Sequence, residues 1–182
     1  KQNGVTFSRQ VLASAVDNVI AVRLTADRPG GLTLRVRMER AQDVMLNRAE
    51  GQRLILQGRL GSDGLEYRAE ALVQPEGGDC QPRGNALWVR GADAVTLYIT
   101  GATSYVGPTD YSADPTKRCG EILAKVSQKA FAQVLTDHAT DHDRLFGRVD
   151  LDLGTEGEAD LPTDQRLKKM QEGEDDPALV AL

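Results

Sequence analysis

Two histidines and five aspartates lie close together in residues 134–154, VLTDHATDHDRLFGRVDLDLG. His138 and His142 are four residues apart, a spacing that puts two zinc ligands on one face of a helix. A zinc hydrolase of this type also needs a glutamate beside the first histidine and a third ligand further on. Here the intervening residues are alanine, threonine and aspartate, so the general base is missing. We therefore expect both histidines to have a packing role. Three nearby aspartates are expected to face water: Asp137, Asp141 and Asp143.

Paired carboxylates would be the signature of glycoside hydrolysis, in which one carboxyl group is held protonated by its environment. The alternating segments of the chain offer Glu39, Glu66 and Glu70, all on strand faces predicted to be wet. No nucleophile elbow, phosphate-cradling glycine loop or Cys/His dyad is visible in the sequence. We therefore assign no catalytic residue, no cofactor-binding residue and no metal ligand to this chain.

The composition excludes several other classes. The net charge of -5 disfavours a nucleic-acid binder, which would carry a basic face. No apolar stretch is long enough to cross a bilayer as a helix. Cys80 and Cys119 fit no metal spacing, and free buried thiols are favoured over a single disulfide between them.

The elements that would carry these residues show period-two alternation from residue 4 to about 106. Each such segment is predicted to be a strand that buries one face and exposes the other. Turn sequences such as DRPGG and PEGGD separate them, with no helix between, which favours an antiparallel β-sandwich. The apolar faces are Ile20, Val22 and Leu24; Leu32, Leu34, Val36 and Met38; Leu54, Leu56 and Leu60; Leu65, Tyr67, Ala69 and Val73; and Val95, Leu97 and Ile99.

The only tryptophan, Trp88, lies on the strand face opposite Leu87 and Val89. Sugar binding by stacking would need an exposed aromatic ring. Partly exposed packing or an interdomain contact is favoured here over a sugar platform.

A helical pattern begins at Asp114, a predicted N-cap that is followed by Pro115 at the first helical position. The helix is expected to break near Ser127 and to end at Gly147. Its apolar stripe is Cys119, Ile122, Leu123, Val126, Ala130, Val134, His138, His142 and Leu145.

Three short segments follow. RVDLDLG, residues 148–154, is strand-like, and LPTDQRLKKMQ predicts a short polar helix capped by Thr163 or Asp164. The tail DPALVAL ends on an apolar run, as if the chain had been cut there. The predicted domains are a sandwich at 1–106, a helical linker at 107–149, and a strand, short helix and start of a further region at 150–182.

Several motifs in a fixed order resemble family 95 glycoside hydrolases, the α-L-fucosidases. VTFSRQVLASAVDNVIAVRLTADRPGGLTL resembles a stretch that recurs in that family. It is followed in the same order by LILQGR, VRGADAVTLYITGATSY, LTDHATDHDRLFGRVDLDLG, LPTDQRLKK and DPALVAL. The elements H..D...LF.RV.LDLG and PTD.RL are the most specific.

The resemblance implies an N-terminal β-sandwich and a helical linker that lead into an (α/α)6 barrel. The general acid and the water-activating groups of such enzymes belong to the barrel, which this chain is expected to lack. His142 stands where a tyrosine is common in the family. The family's opening strands are also expected to be absent, so free strand edges would need a neighbour. Five residues match the linker helix, a structural connector: His138, Asp141, Leu145, Phe146 and Arg148.

The expected function is therefore the non-catalytic N-terminal and linker portion of a glycoside hydrolase. The resemblance implies inverting hydrolysis of terminal fucosyl linkages in the intact enzyme, without a metal or organic cofactor. It implies a fucosylated glycan and the catalytic barrel as partners, and a periplasmic or secreted location. We also expect self-association, and no nucleic-acid or membrane partner. The alternative is a stand-alone carbohydrate-binding or structural β-sandwich.

Overall fold

The computed structural model describes residues 4–149 and 161–180. It divides into two compact units, residues 1–141 and 142–182, and each is described by itself below. The predicted fold class is confirmed: antiparallel sheets make up most of the first unit, and helices follow them. Within the described ranges, no helix is long and apolar enough to span a membrane.

The strands of the first unit follow one another through short turns. In the described part of the chain there are nine, all paired antiparallel. They are β1 Phe7–Ser14, β2 Val19–Ala26, β3 Leu32–Arg37, β4 Val44–Glu50, β5 Arg53–Arg59, β6 Glu66–Glu76, β7 Asp79–Arg83, β8 Ala86–Ala92 and β9 Ala94–Thr103.

The strands form a large and a small sheet. The large sheet has the order β1-β2-β9-β6-β5-β4, and the small sheet has the order β3-β8-β7. Their facing sides enclose a core of buried apolar side chains, as expected for a sandwich. The core residues buried between the sheets are Leu32, Leu54, Ala71, Val73, Leu87, Val89, Ala92, Val95 and Leu97.

The second face of the large sheet is covered as well, so the prediction of one wet face per strand is wrong for the central strands. On β9, five consecutive residues, 94–98, are buried. On β2, Ala21 is fully buried although its face was expected to be wet, whereas Ile20 is 46% exposed. Leu60, another predicted core residue, is also exposed. Ala21 is buried because two helices pack on the face that alternation alone assigns to water.

These two helices are α1 Pro115–Val126 and α2 Phe131–Phe146. The predicted N-cap is confirmed: Asp114 Oδ1 accepts hydrogen bonds from the backbone N–H groups of Thr116 and Lys117, at 2.8 and 3.2 Å. The predicted break near Ser127 is confirmed by the turn between the helices. The predicted stop is confirmed too, because the helix ends at Phe146 and the Gly147 N–H donates to the Asp143 carbonyl at 2.9 Å.

The apolar stripe of these helices packs on the large sheet. Leu123, Val126 and Val134 are completely buried in a second core with Leu72 and Tyr98. Beyond Val134 the predicted stripe is wrong, because the remaining positions are not buried. His138 is half-buried, and His142 and Leu145 are exposed.

The second unit contains α3 Thr163–Gln171 and α4 Pro177–Val180. The predicted helix is confirmed but its predicted cap is wrong: Pro162 is the N-cap residue and no side chain caps the helix. A buried ion pair joins the two helices, with Arg166 Nε and Nη2 at 2.7 and 2.6 Å from the Asp176 carboxylate. The predicted strand at 148–154 falls mostly outside the described residues.

The helix-covered core of the first unit should be sensitive to truncation. Leu123→Ala removes a fully buried side chain and should lower the free energy of unfolding by about 3 kcal/mol. Leu145→Ala, at an exposed position, should change it by less than about 0.5 kcal/mol. Urea denaturation followed by circular dichroism measures both, and equal effects would contradict the packing described.

Candidate functional site

The two histidines do not belong to a cluster of metal-ligating side chains in the described ranges. His138 is half-buried and His142 is exposed. The ring of His142 stacks on Phe146 with 5.0 Å between the centroids, and its Nδ1 lies 3.4 Å from Asp143 Oδ1. Over residues 4–149 and 161–180, no group of three His, Cys, Asp or Glu side chains could hold a metal ion. The assignment of no metal ligand stays a prediction.

The three candidate carboxylates are all in ion pairs. Glu39 lies 2.8 Å from Arg37, and Glu66 pairs with Arg59. Glu70 was expected on a wet strand face, and this is wrong: it is only 2% exposed. It lies on the helix-covered face of β6, the same face as Leu72.

Glu70 is held by guanidinium groups. Arg68 Nε donates to its Oε1 at 2.5 Å, and Arg53 Nη1 lies 3.4 Å from its Oε2. Arg68 also donates to the side-chain oxygen of Gln57, which extends the network to β5. A buried carboxylate with two cationic partners has a structural role in the sheet, because a charge removed from water needs compensation by opposite charge and hydrogen bonds.

Both cysteines are free thiols, as the sequence analysis favours. Burial, aided by the charge of Glu70, raises the pKa of the Cys119 thiol to about 11. Burial also raises the pKa of Cys80, with a contribution from Asp79. Since the thiolate is the nucleophilic form, neither thiol is activated for covalent catalysis at neutral pH.

A polar cleft of the first unit lies beside the turn between α1 and α2 and has a volume of about 550 Å³. Arg23 of β2 bridges to Glu76 of β6 through two hydrogen bonds of 2.6 and 3.0 Å. It also donates to Thr96 Oγ1 at 2.9 Å, and its guanidinium lies 5.6 Å from the ring centroid of Phe131. The cleft is lined by Arg23, Gln52, Gln74, Glu76, Lys129 and Phe131, among others.

Lys129, in the turn between the helices, adds a second ionic cluster to this cleft. Its Nζ lies 2.6 Å from Asp17 Oδ1 and 2.9 Å from Asp137 Oδ2. These contacts raise the pKa of Lys129, and the hydrogen bond from Lys129 lowers the pKa of Asp137. Asp137 was expected to be solvated, but it is half-buried because it pairs with Lys129.

The chemistry of this cleft is binding and positioning rather than acid catalysis. A general acid at neutral pH needs a carboxyl group whose pKa is raised. The hydrogen bonds from Arg23 lower the pKa of Glu76 instead. The cleft therefore offers amides and paired charges to a ligand or to a neighbouring surface.

A different arrangement occupies the outward-facing side of the small sheet. Arg35, Trp88 and Gln81 lie opposite one another in a single row across β3, β8 and β7. The Arg35 guanidinium lies 5.5 Å from the Trp88 ring centroid. The predicted facing is confirmed, since Trp88 is partly exposed while Leu87 and Val89 are completely buried. We call this side the outer face; it comprises Arg35, Arg37, Gln81, Arg83, Trp88 and Arg90.

Sequence reasoning missed the burial of Glu70 and the half-burial of Arg23. Each shares a strand face with a small or apolar residue, Ala21 for Arg23 and Leu72 for Glu70. A charged residue two positions from a small or apolar one is the available signal. It shows that the face is covered, but it does not show by which element.

Comparison with known proteins matches two parts of the chain to two family models. Residues 1–108, more than half of the chain, match the model of the glycosyl hydrolase family 65 N-terminal domain. Residues 130–182 match the model of the glycosyl hydrolase family 95 catalytic domain. The second match begins inside the segment assigned to a linker at 107–149, and the domain limits stay a prediction.

Two individual proteins are similar over most of the chain. A protein of Arabidopsis thaliana named alpha-L-fucosidase 2 is 25% identical over 211 aligned residues, which cover 98% of this chain and 25% of that protein. A solved structure of a putative kojibiose phosphorylase from the human microbiome has a TM-score of 0.50 and 11% identity, and covers 82% of this chain and 23% of its own. The second likeness concerns the fold alone.

The sandwich, its helical cover and these matches define the class: this is an N-terminal β-domain of the kind that glycoside hydrolases carry. More specifically, the chain belongs to the glycosyl hydrolase family 65 N-terminal domain family, and it continues into a segment of the family 95 type. The family 95 resemblance is thereby confirmed. The chain spans about a quarter of the length of the curated relative that it matches.

The Arg23–Glu76 pair should stabilise the fold in a pH-dependent way. Because the pKa of Glu76 is lowered, its contribution is complete above the unfolded value of 4.5 and is lost as the pH falls through the folded value. Arg23→Gln should lower the free energy of unfolding by about 1 kcal/mol at pH 7, and by less at pH 3. Arg48→Gln, which breaks the exposed Arg48–Glu50 pair, is the control and should have little effect at either pH. Denaturation at both pH values measures this, and a pH-independent loss in Arg23→Gln would contradict the role of the pair.

Proposed function

We propose that this chain is the non-catalytic N-terminal and linker portion of a glycoside hydrolase that releases terminal fucosyl groups with inversion. The observation that carries the non-catalytic role is the ion pairing of its carboxylates. Glu70 and Glu76, two glutamates on the helix-covered side of the sheet, are both paired with arginine. The hydrogen bonds from Arg23 lower the pKa of Glu76, whereas glycoside hydrolysis requires a carboxyl group that is held protonated.

The proposed substrate comes from the resemblance to family 95 and from the plant relative. That relative is named an alpha-L-fucosidase, and its similarity extends over 98% of this chain. In this proposal the general acid and the water-activating groups lie outside this chain, in a barrel domain that packs against it. No metal or organic cofactor is proposed.

The test is a comparison of this chain with the full product of its gene. The chain alone should release no 4-nitrophenol from 4-nitrophenyl α-L-fucoside, whereas the full product should do so and give β-L-fucose as the first anomer seen by NMR. A galactoside of the same type measures the specificity for fucose. Turnover by the chain alone that disappears in Glu70→Gln or Glu76→Gln would contradict the non-catalytic role.

The structural role in this proposal is to present surfaces for assembly. Two apolar surfaces are exposed in the chain by itself. At the end of α2, Leu145 and Phe146 are 51% and 68% exposed. On the first two strands, Phe7, Val11 and Ile20 share the side of the large sheet that faces the small sheet, and all three are exposed. Exposed apolar groups of this kind favour association with a partner.

We therefore expect the chain alone to self-associate through one of these surfaces. Light scattering at increasing concentration should show a rising mass, which should fall in either Val11→Lys or Phe146→Lys. Val16→Lys adds the same charge at an exposed valine in the turn between β1 and β2, and should leave association unchanged. A monomer at every concentration would refute this expectation.

A second candidate function is a stand-alone carbohydrate-binding module. The observation that favours it is the outer face, where a partly exposed tryptophan lies among arginines and a glutamine. The two functions are distinguished by the gene beyond Leu182: a barrel-length continuation supports the hydrolase portion, and a nearby stop codon supports the stand-alone module.

A further inference from the structure

We propose that the outer face of the small sheet binds an acidic polysaccharide, one that carries sulfate or carboxylate groups. The arrangement of its side chains follows from the register of the strands. Trp88 has Arg35 directly opposite on β3 and Gln81 directly opposite on β7. Arg37 and Arg83 both lie opposite Ala86, which is two residues before Trp88 on β8.

Arg90 completes the arrangement, two residues after Trp88 on the same strand. Side chains two residues apart point to the same side of a sheet, at a separation of about 7 Å. Neighbouring strands are about 4.8 Å apart. Trp88 is therefore surrounded on the outer face by four arginines within reach of one extended ligand.

The charge of this face is opposite to that of the chain. Two carboxylates border it: Glu39 lies 2.8 Å from Arg37, and Asp79 accepts a hydrogen bond from Gln81 at 2.8 Å. Four arginines against two carboxylates leave a positive face on a chain whose net charge is -5. Arginine binds planar anionic groups through two parallel hydrogen bonds, which suits carboxylate and sulfate oxygens.

The tryptophan adds a flat apolar surface to this cationic frame. An indole ring packs against the C–H side of a sugar, and its N–H can donate to a hydroxyl. The face is the exposed surface of a three-stranded sheet, which suits an extended chain with repeated charges better than a small molecule. The choice of a glycan over another polyanion rests on the proposed function, because the chain belongs to a glycoside hydrolase family.

The side chains of the outer face can be changed without disturbing the core. The inward neighbours Leu87 and Val89 are completely buried and hold β8 in place. Arg35 and Arg90 are exposed. A loss of binding in a variant at these positions can therefore be separated from a loss of folding, which circular dichroism monitors.

The fluorescence of Trp88 provides the measurement, because it is the only tryptophan of the chain. Titration with dextran sulfate at low salt should give a saturable change in its emission, and neutral dextran of the same length should give none. The double variant Arg35→Gln with Arg90→Gln should bind at least about ten-fold more weakly. Trp88→Phe removes the fluorescence signal, so its affinity is measured by calorimetry and should also fall.

A matched variant controls for net charge. Arg9→Gln with Arg48→Gln removes the same two charges from strands of the large sheet, β1 and β4. It should bind dextran sulfate as the unchanged chain does. Equal weakening in both double variants would overturn the proposal, because binding would then depend on net charge alone.

Two further outcomes separate this inference from its alternatives. If poly-L-glutamate binds as tightly as dextran sulfate, the ligand of the outer face is an acidic polypeptide. That result would overturn the proposal that the ligand is a glycan. Binding is measured on the chain without hydrolysis, so it is independent of fucoside turnover. An active full-length fucosidase whose N-terminal chain gives no emission change would refute this inference and leave the proposed function intact.

Discussion

The large sheet must be covered on both faces, and the rest of the structure depends on this constraint. Its central strands β9 and β6 carry buried side chains in both directions, so neither face can remain in water without exposing apolar area. The small sheet covers one face, and α1 with the start of α2 covers the other. The helices after the sandwich are therefore part of the first unit's core in addition to any connecting role.

This two-sided cover also explains where the charged residues are. The helix-facing side of the large sheet contains Arg23, Arg68 and Glu70 beside apolar residues, and a charge in such a place needs a partner. Arg23 of β2 pairs with Glu76 of β6 across the intervening β9, and Arg68 and Glu70 pair with each other on β6. Lys129 adds the link between this layer and the helix turn through Asp17. By contrast, the outer face of the small sheet has no covering element in the described part of the chain, and there the arginines remain available to a ligand.

Local signals were enough to predict the strands β2, β3, β5, β6, β8 and β9, the Asp114 cap, the break near Ser127 and the end at Gly147, because each depends on neighbouring residues only. The burial of Glu70 and Ala21 was not predictable, since alternation shows that two faces differ but not that a helix more than 40 residues away covers one of them. The same limit applies to the outer face. Alternation placed Trp88 opposite Leu87 and Val89, but only the register of three strands brings Arg35 and Gln81 to its sides.

The position of β9 in the large sheet has a consequence for biosynthesis. β9 is the last strand in the described part of the chain, yet it pairs with β2 on one side and with β6 on the other. The pair β1-β2 and the group β6-β5-β4 have no direct pairing with each other, so β9 is the strand that joins them. A ribosome must therefore complete residue 103 before the sheet can close, and until then two apolar half-sheets with free edges are exposed. Such sheets of high contact order fold slowly. The nascent chain is thus most vulnerable to misassembly just before β9 emerges, and a chaperone that shields strand edges would act in that interval.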